Sequence, residues 1–439
     1  MSLSSARWRS LGILLAAGII IAIIMATAPE PLRRGQFLVV PGGWWRLGLS
    51  FVVGIVAIAL AVYSYGKATR PGKAGMYASA AATHMVLLAA VFFALYPALY
   101  LLAVSFSPND NLYSAPPREG NVLVRAGIVP DMSNVSLRQY QRVLADTNIL
   151  AFQWVLLGAL LLVGIGLWLL RWQSRRQGRR FDAWQQALGW SLFIIAAVLV
   201  VSISPDQFYS LDAEGRRSAA NSEQKILLFI RNTLLVSGMT GLFAVLISTT
   251  AGYAFARMRF PGRYQTLLLF IFVQMFPGFM ALVAIFYLMN ALDLLNSHIG
   301  LILAYSGGAI SFASWIFKGY LESISPSLEE AAMVDGATRW GAFWRIILPV
   351  SVPMLIFIFM LQFIGTYSEF ILANILLTGD NQWTIGLGLR TFTAGTGRLN
   401  TQWGALAASA VLGSIPILLL FYSFQESLTG QHQAGGVKG

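Results

Sequence analysis

The sequence has no cysteine and very little charge. None of its 439 residues is Cys, and only 11% are Asp, Glu, Lys or Arg. A chain without cysteine has no disulfide, no thiolate metal site and no cysteine nucleophile. Soluble proteins carry about a quarter charged residues, so this chain has too few polar side chains to cover a water-soluble domain of its size.

Catalytic and metal-binding patterns are also missing. The three histidines, His84, His298 and His432, stand far apart in the sequence and form no zinc-type cluster. No G-x-x-x-x-G-K-[ST] phosphate loop, H-E-x-x-H or G-x-S-x-G motif occurs. We therefore expect no catalytic residue, no metal and no cofactor on this chain, and no nucleotide hydrolysis by it.

Long apolar runs take the place of charge. The chain is 57% hydrophobic, with a mean hydropathy of +0.67. A helix crosses a bilayer with about 17–25 apolar residues, and backbone groups in lipid must be hydrogen-bonded within the segment. The runs therefore predict an all-α polytopic membrane protein with about ten transmembrane helices. The predicted spans are 11–28, 46–66, 85–106, 149–171, 187–204, 226–255, 264–290, 299–319, 350–375 and 403–424.

The net charge of +12 is explained by membrane orientation. With the N-terminus inside, the inner segments hold 17 of the 30 Lys and Arg with six acids, and the outer segments hold 13 with 11 acids. Basic residues concentrate in cytoplasmic loops, so both termini are predicted to be cytoplasmic. No basic soluble domain is left to bind nucleic acid.

The first span has one alternative interpretation. Ala26-Thr27-Ala28 resembles a signal-peptide cleavage site. Pro29 follows directly and disfavours cleavage, so we expect the span to be retained.

The cytoplasmic segment 325–349 reads SPSLEEAAMVDGATRWGAFWRIILP. Its first helix has two possible starts. Ser325 caps it with Pro326 at the first position, or Ser327 and Glu330 form a capping box.

A bend and a second helix are expected next. Gly336 stands where a left-handed residue ends the first helix. Thr338 begins a second helix that is predicted to run to Leu348 and to stop at Pro349. Two short helices bent at a glycine form a compact projection suited to docking on a soluble partner, although an ordinary interhelical loop is the alternative from these residues alone.

The same residues match the EAA motif, which is E-A-A, three residues, G, nine residues and I-x-L-P. Here it is Glu330-Ala331-Ala332, Gly336 and Ile346-Ile347-Leu348-Pro349, without a departure in spacing. The chain thereby resembles the permeases of ATP-binding-cassette importers. The resemblance assigns ATPase docking to Glu330, Ala331, Ala332, Asp335, Gly336, Ile346, Leu348 and Pro349.

Further segments are similar to the carbohydrate permeases of the maltose-type, MalG-like family. They are 232–263, the tail 434–439, and span 85–106 with the loop after it. The two spans before residue 85 and the hairpin 149–204 are additions to that family's pattern.

The resemblance implies a core of six transmembrane helices of the type I importer kind, with additions. The expected organisation is 1–84 as extra N-terminal spans, 85–106 as the first core span, 107–225 as outer loops with an inserted transmembrane hairpin, 226–424 as core spans with the EAA loop at 320–349, and 425–439 as a cytoplasmic tail.

The resemblance also implies partners in a bacterial inner membrane. They are a second, MalF-like permease, a dimer of ATPase subunits that binds ATP and Mg, an extracytoplasmic sugar-binding protein, and lipid. Glu330 is expected to pair with a basic residue of the ATPase, and Gly336 to permit the bend. The expected function is uptake of a maltose-, maltodextrin- or trehalose-like sugar.

Two outer regions are weaker candidates. Glu369 is the one acid in a predicted span, beside Tyr367 and Ser368. We expect it to face the helix bundle or a cavity of the solute path, or to lie near the outer interface. The loop 376–402 combines polar and aromatic residues suited to contact with the binding protein or a sugar, although a plain solvated loop is the alternative. The residues assigned to that contact are Asn381, Gln382, Trp383, Phe392 and Asn400.

Other functions remain as alternatives. The EAA motif indicates coupling to an ATPase but does not identify the transported solute. An importer of another solute is therefore the second hypothesis. A secondary carrier would require several intramembrane charges or an inverted repeat, and a membrane enzyme would require a polar catalytic cluster. Neither pattern is evident.

Overall fold

The fold is known from a computed structural model. It describes residues 3–27, 32–34, 37–39, 42–108, 124, 129–130, 132, 134–177, 183–211, 214–275, 277–393 and 401–428. The chain divides into two compact units, Met1–Ser136 and Leu137–Gly439. The division falls inside the predicted region 107–225, so the predicted first core span belongs to the first unit.

The first unit consists of three long helices and a small hairpin. They are α1 (Leu3–Ala26), β1 (Leu32–Arg34), β2 (Phe37–Val39), α2 (Gly43–Thr69) and α3 (Ala74–Ser105). The two strands pair antiparallel.

Helices α1 and α2 pack closely through small residues. Ala17, Ala57 and Ala61 are buried, and the Ser10 hydroxyl donates to the Ala61 carbonyl at 3.0 Å. Small side chains let helix backbones approach closely in a membrane.

The second unit contains the remaining elements. They are α4 (Arg138–Leu144), α5 (Ala151–Gln177), α6 (Ala183–Ser202), β3 (Tyr209–Leu211), β4 (Arg217–Ala219), α7 (Ile226–Arg257), α8 (Arg263–Met275), α9 (Gly278–Ala291), α10 (His298–Ser323), α11 (Ser327–Val334), α12 (Arg339–Ala342), α13 (Leu348–Ser368), α14 (Ile371–Leu376), α15 (Ile385–Gly388) and α16 (Trp403–Leu428). Strands β3 and β4 pair antiparallel.

The prediction of an all-α membrane protein is confirmed. Among the described residues, eight helices are long and apolar enough to cross a membrane, or nine if one bent pair forms a single span. Helix α6 coincides with the predicted span 187–204 but is not among the eight, so the count of ten stays a prediction.

The prediction of one continuous helix over 264–290 is wrong. Helices α8 and α9 lie at 100° to each other. Pro277 precedes α9 with ψ 115°. Proline has no backbone N–H to donate and its ring clashes with a preceding helical turn, so the chain changes direction there.

Helix α7 is the centre of the second unit. It packs against α10 and α13, and two glycines allow the close approach. A Cβ added at Gly252 would lie 2.9 Å from Cδ1 of Phe317, and one at Gly241 would lie 3.0 Å from Cδ2 of Phe359. The backbones of these helices are therefore nearer than larger residues would permit.

The glycine contact yields a stability prediction. We expect Gly252→Ala to lower the stability of the purified protein by about 1–3 kcal/mol, because the methyl group overpacks the contact with α10. Gly238→Ala, also in α7, is the matched control. A Cβ there meets nothing within 4 Å, and alanine favours the helix. Thermal unfolding in detergent measures both, and equal melting temperatures would contradict the close packing.

Candidate functional site

The segment 325–347, here called the knob, has the bent two-helix form predicted for it. Helix α11 ends at Val334, and Gly336 follows with φ +90°. Thr338 caps α12, its hydroxyl accepting from the Gly341 N–H at 3.1 Å. At the start of α11, Ser325 Oγ accepts from the Ser327 N–H at 3.4 Å, which favours the first of the two predicted starts.

The end of the second helix was predicted wrongly. The helical conformation does not stop at Pro349. A π-helical turn, Phe343–Ile347, leads directly into α13. Pro349 lies in the first turn of α13, where its missing N–H is tolerated.

The knob turns the predicted docking residues to different sides. Glu330, Ala331, Asp335, Gly336 and Pro349 are exposed, and Ile346 and Leu348 are half-buried.

Ala332 is only 9% exposed, so it differs from its exposed neighbours Ala331 and Glu330, and its assignment to docking stays a prediction. Residues three apart share a helix face, and Ala332 therefore points inward together with Glu329.

Glu329 is the residue that sequence reasoning missed. It is 6% exposed. One carboxylate oxygen accepts from Arg257 Nε at 2.6 Å and the other from the Tyr253 hydroxyl at 2.9 Å. Arg257 also donates to the Ile324 carbonyl at 2.8 Å. These contacts join the knob to the last turns of α7.

The sequence contains one signal for this role. Two adjacent acids, Glu329 and Glu330, cannot lie on the same face of a helix. A helix that packs against the protein can therefore turn one of the two inward and leave the other exposed.

Apolar packing supports the same junction. The rings of Tyr253 and Phe343 lie 4.8 Å apart, and both belong to a buried cluster with Phe317 and Ile347. On the other side of the knob, Val334 is 87% exposed and Trp340 is also exposed. The knob thus presents an acid and apolar side chains outward.

Glu369 was predicted inside a continuous span, and this is wrong. Helix α13 ends at Ser368, and Glu369 is extended with ψ 137°. Its Oε1 accepts from the Ile371 and Leu372 N–H groups at 2.7 and 2.9 Å. The carboxylate satisfies the first N–H groups of α14, as a capping side chain does, and the Tyr305 hydroxyl donates to its other oxygen.

The three residues assigned to the solute path do not share a surface. Tyr367 is buried and donates to the Gly413 carbonyl at 2.6 Å. Ser368 is exposed, and Glu369 is half-buried. Tyr367 points into the helix bundle, and the assignment of the three residues to the solute path stays a prediction.

The segment 377–393 contains most of the predicted loop contact. Asn381 is exposed, and Gln382 and Trp383 are half-buried. Phe392 is 1% exposed, so the expectation that it offers an apolar surface to a docked protein is wrong. It packs in the chain's own core beside Phe229. Asn400 lies outside the described residues.

Polar residues of α7 and the turn before it hold this segment in place. Lys225 Nζ lies 2.8 Å from Asp380 Oδ2 and donates to Asn381 Oδ1 at 3.1 Å. Buried Asn232 donates to the carbonyls of Asn381 and Trp383 at 2.8 and 3.0 Å. Sequence reasoning assigned no role to Lys225 or Asn232, which stand about 150 residues before their partners.

Metal binding has no support in this arrangement. Across the described residues, no group of three or more His, Asp or Glu side chains is placed to hold an ion.

The fold and the knob define a polytopic membrane transport component. A family model described as the binding-protein-dependent transport system inner membrane component matches residues 244–429, which include the whole knob. The chain belongs to this family of multi-span inner-membrane permeases.

The similar proteins with curated names include maltose/maltodextrin transport system permease proteins MalG. The protein of Vibrio vulnificus YJ016 is 43% identical over 220 residues, covering 49% of this chain and 73% of the relative. That of Escherichia coli K12 is 43% identical over 223 residues with the same coverage.

A solved structure supports the fold. A bacterial ABC transporter involved in the import of the acidic polysaccharide alginate contains a chain that superposes with a TM-score of 0.52 at 18% identity. The match covers 78% of this chain and 94% of that one.

The Glu369 cap gives a local prediction. We expect Glu369→Ala to accelerate amide hydrogen exchange at residues 371–376 by about fivefold, because a lost cap costs a helix about 1 kcal/mol. Ser368→Ala, one position earlier and exposed, is the control and leaves exchange unchanged. Unaltered exchange in the Glu369 variant would show that the carboxylate does not hold α14.

Proposed function

We propose that this chain is the permease subunit of an ATP-driven importer of maltose-, maltodextrin- or trehalose-like sugars. With a second, MalF-like permease it forms the solute pathway across the inner membrane. The proposal is carried by the 43% identity to maltose/maltodextrin permeases. The match of the family model to residues 244–429, which include the knob, supports it.

The knob is the proposed docking point for a pair of cytoplasmic ATPase subunits. Exposed Glu330 offers a carboxylate to a basic residue, and exposed Val334 and Trp340 offer apolar contact. ATP and Mg bind to those subunits, and this chain performs no covalent chemistry. Closure of the ATPases moves the knob and tilts the helices that are packed on it.

This docking fixes the proposed orientation. The knob faces the cytoplasm together with both termini, and the segment 377–393 lies at the opposite side of the membrane. An extracytoplasmic binding protein delivers sugar there.

Asn381 and Gln382 are the proposed contacts with the binding protein. A binding protein that holds sugar tightly must be opened before release. A surface that binds the open form better than the closed form shifts the population toward opening. Asn381 is exposed for this contact, while Lys225 and Asn232 hold its backbone and side chain.

The direct test is isolation of the native complex. We expect the chain to copurify with a second permease and an ATPase, and the ATPase of the complex to be stimulated by maltose-loaded binding protein. Stimulation by a binding protein loaded with an unrelated solute, and not by maltose, would overturn the sugar assignment.

The knob gives a prediction about coupling. We expect Gly336→Val to lower transport by about tenfold or more, since a β-branched residue at φ +90° costs about 1–3 kcal/mol. Gly336→Asn is the matched control, because asparagine tolerates the left-handed region. Glu330→Lys is expected to be as harmful as Gly336→Val, since like charges at an interface repel. Transport of radiolabelled maltose into vesicles is the measurement, and normal uptake by Gly336→Val and Glu330→Lys would exclude the knob as the docking point.

The absence of cysteine permits a prediction about the loop. We expect Asn381→Cys to react with an impermeant thiol reagent from outside and to crosslink to the binding protein through a short thiol–amine linker. Glu214→Cys, in the exposed turn between β3 and β4, is the control and reacts with the reagent without crosslinking. Equal crosslinking of the two positions would contradict the assignment of Asn381 to the contact with the binding protein.

A further inference from the structure

Helix α7 is fastened to both functional segments of the second unit. Its 32 residues make a helix about 48 Å long, at 1.5 Å per residue. The knob is held at one end and the segment 377–393 at the other.

The junction at the knob is a buried ion pair with a hydrogen-bonded tyrosine. Glu329 and Arg257 have side chains that are 8% and 14% exposed, with 2.6 Å between the carboxylate and Nε. Tyr253 donates to the same carboxylate. Removing one partner from a buried pair leaves an uncompensated charge, so the knob and the end of α7 move together.

The junction at the opposite end is made of neutral hydrogen bonds and one ion pair. Asn232 is fully buried and donates to two carbonyls of the segment. The Thr233 hydroxyl accepts from the Ile385 N–H at 2.7 Å. The Lys225–Asp380 pair at 2.8 Å adds a third contact.

The helix between the two junctions is continuous. No proline interrupts its 32 residues. Close packing on α10 and α13 at Gly252 and Gly241 supports it along its length. A helix without a break or kink carries a displacement of one end to the other.

We infer that α7 couples binding-protein docking to the ATPase knob, with Glu329 and Arg257 at one end and Asn232 at the other as positioning residues. The inference rests on the proposed function. A docked binding protein that displaces the segment 377–393 thereby shifts the knob. Since coupling between two sites is reciprocal, the nucleotide state of the ATPases changes the affinity for the binding protein by the same factor.

The two junctions lie on one helix, so the proposed coupling requires both of them. If one helix carries the coupling, breaking either junction removes it, and breaking the second junction removes nothing more. Two independent supports would instead give reductions that multiply, as separate sites do.

The experiment compares reconstituted complexes carrying Glu329→Gln, Asn232→Ala or both. The quantity measured is the ratio of ATPase activity with maltose-loaded binding protein to activity without it. We expect each single variant to lower this ratio by about fivefold or more, and the double variant to equal the lower of the two singles. Thr250→Ala, an exposed residue of α7 whose hydroxyl donates within the helix, is the control and keeps the wild-type ratio.

Two milder variants are used if substitution of buried Glu329 or Asn232 prevents assembly of the complex. Tyr253→Phe removes one hydrogen bond at the knob junction and keeps the ring on Phe343, and Lys225→Met removes one ion pair at the other. We expect both to lower the ratio by about threefold, again without multiplying in the double variant. Wild-type ratios in the assembled single variants, or multiplied losses, would overturn the inference. If the wild-type complex itself shows no stimulation by any sugar-loaded binding protein, the proposed function fails instead.

Discussion

Polar side chains at the two ends of α7 are buried, and a buried polar group must be hydrogen-bonded or it destabilises the fold. Asn232 and Thr233 meet this requirement with the backbone of the segment 377–393, and Arg257 and Tyr253 meet it with Glu329 of the knob. The knob and the segment 377–393, for which we propose roles in transport, are therefore positioned by the same helix. The middle of α7 packs against α10 and α13.

The two adjacent acids of the knob have separate tasks. Glu330 is exposed and suits an intermolecular pair, whereas Glu329 is enclosed and bonded to Arg257 and Tyr253. A buried ion pair contributes little net stability when compared with apolar packing, but it is costly to break. Such a pair is well suited to keep one geometry while the surrounding helices tilt.

The curated relatives match 49% of this chain. In the second unit, the α5–α6 hairpin is closed at one end by Gln153, which donates to the carbonyl and hydroxyl of Ser202 at 3.1 Å. Asn148 donates to the Gln207 carbonyl at 3.0 Å in the same region. The faces of α5 are largely apolar and exposed, as expected of a helix that meets lipid.

The sequence by itself determined the membrane class, most of the helices and the bent knob. These follow from local causes, which are apolar runs of spanning length, the left-handed conformation at Gly336 and the cap at Thr338. It did not determine the end of α13 at Ser368, because that end depends on the N–H groups of α14 that donate to Glu369. The break at Pro277 and the continuation through Pro349 depend on where each proline lies in its helix, which the sequence pattern left open. Only the tertiary structure decided that Glu329 faces Arg257, that Phe392 is buried and that Asn232 holds a segment about 150 residues away. The physical reason is that a side chain is buried only when two segments pack together. The sequence shows each segment but does not show which segment packs against it.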